Sequence, residues 1–361
     1  MFTTLRATSW KEARYNLRNI NLLYRRAYRF SRSSEQLCGE SISSSEWSYS
    51  PYTFPVALHE LPEFIFIGIP ASESQNPLIL PLAGHELGHV VWRRKGAKRE
   101  FDPIIQAEIL SLYRTNWRRF SEIFNIGLGP DKLETDLSLR NIWAQSYKLA
   151  QRQLEEVFCD FIGIYLFGQS FLHSFRYLVA PSLGYYRALN YPKLRDRARY
   201  MSYVARIYDL PQIANYEDSF SEQNYTMSPA ETFIIEMSDA ATENLHQQLP
   251  ALLDKYRGRA GGFRAGTNDE PRVKKFLMSL VPAARVKSMA SVVNAAWDIR
   301  LALDQWNVLT EIDEEDKRRA EKVRVLRDLV LKSFEVYEFR KRIAKQIRRS
   351  RERSRKGSNA T

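Results

Sequence analysis

Apolar residues recur at helical spacing along most of the chain. Between Ser9 and Phe30, the residues Trp10, Ala13, Leu17, Ile20, Leu23, Tyr24 and Ala27 share one face against Arg14, Arg18, Arg25 and Arg26, which predicts an amphipathic surface helix. The Ser-rich stretch from Ser31 to Ser50 predicts a loop or linker. Phe64-Ile65-Phe66-Ile67-Gly68-Ile69, bounded by Pro62 and Pro70, is β-branched and aromatic and predicts a strand. Helical periodicity follows from Ile104 to Ile126, from Ile142 to Phe171 and from Lys193 to Ile207, with a polar loop, Gly127 to Asp136, between the first two. Ser228, Pro229 and Glu231 form a capping box that opens a helix running towards Tyr256. The glycines from Gly258 to Gly266 match no phosphate-binding pattern and read as a connector. Val292 to Trp306 and Glu314 to about Arg349 are helical again, the latter with acids at its start and Lys/Arg at its end, as the helix dipole favours. The expected fold class is therefore mainly α (α+β), with one small sheet.

Composition adds three constraints. With 361 residues, 44% of them hydrophobic and 12% aromatic, the chain can bury a substantial core. The net charge of +12 is concentrated: Arg340 to Lys356 holds ten Lys/Arg and one acid, Glu352. Such a run suits nucleic acid or another anionic partner, although a solvated tail has the same composition. Cys38 and Cys159 are too few for a disulfide framework. There is no secretory signal, and the apolar run from Phe158 to Leu172, broken by Asp160 and Gln169, is too short to span a bilayer, so a cytoplasmic location is expected.

The chemistry centres on Pro81-Leu82-Ala83-Gly84-His85-Glu86-Leu87-Gly88-His89, which contains H-E-x-x-H. At ordinary residue frequencies a chain of this length carries that pattern by chance about one time in a hundred. Positions four apart lie on one helix face, so His85 and His89 can grip one metal ion while Glu86 projects towards the water it activates. Zinc suits this ligand set best. Asn76-Pro77 and Pro81 offer two possible starts for the helix, and the pattern does not choose between them.

A third protein ligand is required. The continuation H-x-x-G-x-x-H is absent, because Trp92 and Lys95 stand at the positions it needs. His59, His173 and His246 have the surroundings of surface or packed histidines. Glu156 with Asp160 four residues later offers a carboxylate pair on one face of an apolar helix, with Glu155 and Glu236 as alternative ligands. Buried in such a helix, Asp160 needs a partner such as an imidazole N–H. Cys159, between them, reads as a small core residue.

These residues resemble the gluzincins, zinc peptidases in which the Glu of E-x-x-x-D is the third ligand and the Asp orients a ligand histidine. Glu156 and Asp160 match that pattern. Glu156 lies 67 residues after His89, a spacing similar to the branch that includes HtpX and the prenyl-protein CAAX proteases. That branch carries a T-H-P segment followed by Arg; here Asn190-Tyr191-Pro192 and Arg197 stand in those places, and the branch's transmembrane helices are missing. The resemblance spans about Phe64 to Met201. It implies a zincin-like metallopeptidase core over residues 51–215, preceded by the N-terminal helix and linker (1–50) and followed by a helical region (216–310) and a charged long helix with a basic tail (311–361).

The implied function is zinc-dependent hydrolysis of peptide bonds in a protein substrate. Zinc, held by His85, His89 and Glu156 and with Asp160 behind them, would activate a water from which Glu86 takes the proton. Tyr191, His173 and Arg197 are the candidates for stabilising the oxyanion, Tyr191 occupying the family's histidine position. A different class of reading is a nucleic-acid- or partner-binding protein with a structural zinc site.

Overall fold

The structure, a computed structural model, describes residues 41–46, 52–53, 65–94, 96–180, 186–223, 226–256 and 269–358. The helix expected at 9–30 and the glycine-rich connector at 258–266 lie outside the described residues. The described chain is mainly helical with almost no strand, as the periodicity implied.

The expected strand is present as β3 (Ile65–Pro70), the middle of a three-stranded sheet. β1 (Ser41–Glu46) pairs with it in parallel and β2 (Tyr52–Thr53) antiparallel. The strand at 41–46 corrects the linker expected there. Serine has little strand preference of its own, and what makes the segment a strand is its ladder with β3, a long-range pairing that local composition does not reveal.

Beyond the sheet, Asn76 caps a buried 3₁₀ segment, Pro77–Leu82, its side chain accepting from the Leu78 N–H. The α-helical part begins only after Pro81, as α1 (Ala83–Arg94). Both prolines are thus used, one opening the 3₁₀ turns and the other inside them. The Leu78 carbonyl, whose 3₁₀ donor position is Pro81 with no N–H, accepts from Ser174 Oγ at 2.6 Å and Trp297 Nε1 at 3.0 Å.

Helices α2 (Ala97–Thr115) and α3 (Trp117–Phe124) lead to α4 (Leu137–Phe167), which starts five residues before the periodicity suggested because Asp136 caps it through the N–H groups of Ser138 and Leu139. From Gln153 to Phe167 every residue of α4 except Glu156 is buried. A helix apolar all round must be central, and α1, α2, α6 (Leu194–Ile207) and α7 (Pro229–Leu245) all pack on it. The capping box at Ser228 and Glu231 is formed. The helix it opens stops at Leu245 and resumes as α8 (Leu249–Tyr256).

The apolar pattern that ran through Phe171 is interrupted. Gly168, at φ 64°, separates α4 from α5 (Gln169–Val179). Helices α9 (Glu270–Met278), α10 (Met289–Leu301) and α11 (Glu315–Ser358) complete the order. One apolar core runs from Ile67 to Tyr337, so the expected metallopeptidase region and the helices after it are packed together. No described helix is long and apolar enough to cross a membrane.

Asn294 of α10 repairs the break at Gly168. Its buried amide accepts from the Ser170 N–H at 2.7 Å and donates to the carbonyls of Phe167 (2.9 Å) and Ala290 (3.0 Å). Asn294→Ala leaves these groups unsatisfied in the core. We expect it to lower unfolding stability by about 2 kcal/mol, read as a lower urea midpoint at unchanged slope; a midpoint equal to the parent's would show that the break is held by packing alone.

Candidate metal centre

The site is built on the crossing of α1 and α4, and small residues set how close those helices come. A Cβ added to Gly88 would lie 2.5 Å from the Cα of Cys159, and one added to Gly84 2.9 Å from the Cα of Gly163. Both residues of each pair are four apart, so one small seam lies against another and the helix axes approach closely. The histidines follow the two glycines directly, which carries their rings over the next face of α4.

That face holds the carboxylates. His85 Nδ1 lies 2.8 Å from Asp160 Oδ1, and His89 Nδ1 lies 2.9 Å from Glu155 Oε1. Carboxylates at both Nδ1 atoms fix the tautomer with the proton there, so each Nε2 presents a lone pair. Both lone pairs face Glu156: His85 Nε2 is 3.1 Å from its Oε2 and His89 Nε2 3.6 Å from its Oε1. Glu156 Oε2 is buried, with Arg197 Nη2 3.5 Å away as its other contact. Lone pairs facing carboxylate oxygens need a cation between them. Tetrahedral ligands at about 2.0–2.1 Å from zinc lie roughly 3.3 Å from one another, close to the spacing seen. His85, His89 and Glu156 could therefore hold a metal ion.

Cys159 is the other possible donor. Ligand atoms of His85, His89 and Cys159 lie within 4.8 Å of one another, a group that could hold a metal. Yet Cys159 sits in the seam against Gly88, and burial, with the charges of Glu156, Glu155, Asp160 and Glu86, pushes its thiol pKa well up. Glu156 offers an oxygen held ionised, 3.1 Å from His85 Nε2 and 3.6 Å from His89 Nε2.

Without a metal the cluster holds protons instead. Burial opposes charge on His85, but the hydrogen bonds and charges of Asp160 and Glu156 outweigh it and raise its pKa to about 10. Burial likewise works against the carboxylates. His85 and Arg197 nevertheless keep Glu156 and Asp160 below the usual range, and His89 with Arg93 and Arg152 does so for Glu155. A metal entering the site must displace the proton on His85, so its apparent affinity falls as the pH is lowered.

Several expectations change in detail. Glu155, an alternative ligand by sequence, instead faces His89 Nδ1, braced by Arg93 Nε at 2.8 Å and Arg152 Nη1 at 3.1 Å. Glu236 is remote, paired with Arg119 at 2.6 Å. Arg197 bonds Asp160 through Nε at 2.6 Å and Nη2 at 2.9 Å, which makes it the anchor of the orienting carboxylate. His173 packs against Trp297, its pKa lowered to about 4 by burial and by Arg176, and His246 stacks on Tyr200. Both are packed histidines, and His59 lies outside the described residues.

Tyr191 is at the site. The Glu156 charge is the main reason its phenol pKa is raised, with burial and the charges of Glu86 and Asp160 adding to the effect, and the Arg197 guanidinium lies 5.3 Å from its ring. Its loop is clamped by Arg187 Nη1 on Asp239 of α7 at 2.8 Å and by Gln153 on the Leu189 carbonyl at 3.3 Å. Glu86, beside His85, is buried. No protein-family model, curated protein or solved structure matches this chain. Its chemistry has to be argued from these residues.

Two outcomes test the centre. Metal analysis of chain purified without chelator should find about one zinc, largely lost in Glu156→Ala and retained in Cys159→Ser; the reverse pattern would make the thiol the third ligand. Gly88→Ala drives a methyl into the Cys159 backbone and must part the helices. We expect it to weaken metal binding by at least about tenfold, since ligands held even a fraction of an ångström out of place bind poorly, with helical content by circular dichroism unchanged.

Proposed function

We propose that this chain is a zinc metallopeptidase of the gluzincin type, with a zincin-like core built on α1, α4 and the small sheet, acting on peptide bonds of a protein substrate. The observation that carries the reading is the convergence of both Nε2 atoms on the Glu156 carboxylate, with Glu86 buried on the same helix. Zinc held there would supply Lewis acidity, making a water nucleophilic near neutral pH and polarising the scissile carbonyl.

The chain's own residues then have distinct tasks. Asp160 and Glu155 keep the two Nδ1 protons in place, and Arg197 holds Asp160 from behind. Glu86 accepts the proton of the attacking water and delivers it to the leaving amine. Tyr191, whose raised pKa keeps its phenol protonated, donates to the developing oxyanion. A cleft of about 500 Å³ between α4 and α7 is lined by Leu149, Leu189, Met227, Ile234 and Ile235 with Gln145, Lys148, Thr226 and Glu231, and Leu189 belongs to the same loop as Tyr191. Its apolar wall supports a substrate with side chains to bury beyond the reacting bond.

The test is Glu86→Gln. Glutamine preserves size but cannot accept a proton, so cleavage of a mixed peptide library, followed by mass spectrometry, should fall roughly 100- to 10,000-fold while the zinc content stays at the parent value. Undiminished cleavage with zinc in place would remove Glu86 from the mechanism. An absence of cleavage by the parent chain across the library would favour a binding module with a structural metal.

A further inference from the structure

The last helix changes character part-way along. Up to Glu338, α11 packs through Leu326, Val330, Phe334 and Tyr337, all buried. Past that point three large apolar side chains on one face are open to solvent: Phe339 at 65%, Ile343 at 38% and Ile347 at 47% exposure. They are spaced by four residues, so they form a single stripe about 12 Å long. Arg340 flanks the stripe on one side and Arg342 on the other, and helical phase puts Lys341 and Arg348 on the opposite face. The ion pairs of Lys341 and Arg342 run back along the helix to Glu338.

We infer that this end of α11 is a docking surface for an anionic lipid bilayer, on which the helix lies flat with Phe339, Ile343 and Ile347 in the acyl boundary and its Lys/Arg among the headgroups. A strong cationic face with an apolar stripe is the pattern of an interfacial helix. Other occupants fit less well. A second copy would set ten basic side chains against ten more, with Glu352 the one acid to offset them. The N-terminal segment from Ser9 to Phe30 carries Arg14, Arg18, Arg25 and Arg26, again the same sign. Nucleic acid would engage the charges but gives three exposed apolar side chains nothing to bury in. No described helix crosses a bilayer, so attachment is peripheral and reversible.

The experiment compares the full chain with a Phe339→Ser, Ile343→Ser, Ile347→Ser triple variant, which leaves every charge in place and alters only exposed positions. Each is co-sedimented with phosphatidylcholine vesicles with and without phosphatidylserine, and titrated against duplex DNA and, by sedimentation velocity, against itself. The parent should bind the phosphatidylserine vesicles and bind phosphatidylcholine alone, or either at high salt, at least about tenfold more weakly; the triple variant should lose at least about tenfold on phosphatidylserine vesicles. Binding of parent and variant to these vesicles with equal affinity would overturn the inference, since charge alone would then suffice. So would failure of the parent to bind them, tighter binding to DNA than to vesicles, or a dimer that the variant abolishes. None of these readouts depends on zinc or on cleavage.

Discussion

The close approach of α1 to α4 is the constraint on which the rest of this structure depends. Two helices bearing ordinary side chains at their contact sit too far apart for imidazoles on one to reach carboxylates on the other in opposed pairs. Here Gly84 and Gly88 meet Gly163 and Cys159 at distances that leave no room for a Cβ. The seam and the chemistry share one period: on α1 each glycine is followed by a histidine, and on α4 Glu155 and Glu156 stand one turn before Cys159 and Asp160. The same interval of four that aligns the small residues therefore aligns the donors. The rest of the core maintains this crossing. The 3₁₀ segment before α1 is tied by the Leu78 carbonyl to Ser174 and Trp297, and the end of α4 is tied through Asn294 to α10.

Much of the site was legible in the sequence because its elements are local. H-E-x-x-H and E-x-x-x-D each lie within one or two helical turns, so spacing alone puts their side chains on common faces. Long-range information was not legible. Glu155 resembles any surface carboxylate until the phase between two packed helices is known, and that phase is set by Gly84 and Gly88. Those glycines stood beside the histidines from the outset, and reading them as a contact seam would have pointed to both orienting carboxylates. The role of Arg197 shows the same limit: its type and position suggested a donor to substrate, but its two hydrogen bonds to Asp160 are a tertiary fact. In the fold, the helices were readable from their periodicity and the capping box from four residues, whereas the strand at 41–46 depends on a partner some twenty residues away. The stop at Gly168 was missed because the apolar pattern continues across it.

Under the function proposed above, the electrostatics of the centre suit a tyrosine at position 191 as the neutral donor. Glu86, Glu155, Glu156 and Asp160 are gathered around the two imidazoles, with Arg197 alone as the deeply buried cation among the braces. In such surroundings a third imidazole would be drawn towards its charged form, and its donor strength would vary with the occupancy of the metal site. A phenol responds in the opposite sense. Negative neighbours raise its pKa from an already high value, so it stays a neutral donor whether or not the neighbouring acids are compensated. Arg197 lies over the Tyr191 ring and is bonded to Asp160, so one cation is in contact with both. Under the function proposed above, two tasks would fall to two residues: a fixed cation, Arg197, that orders the carboxylates, and a phenol, Tyr191, that donates.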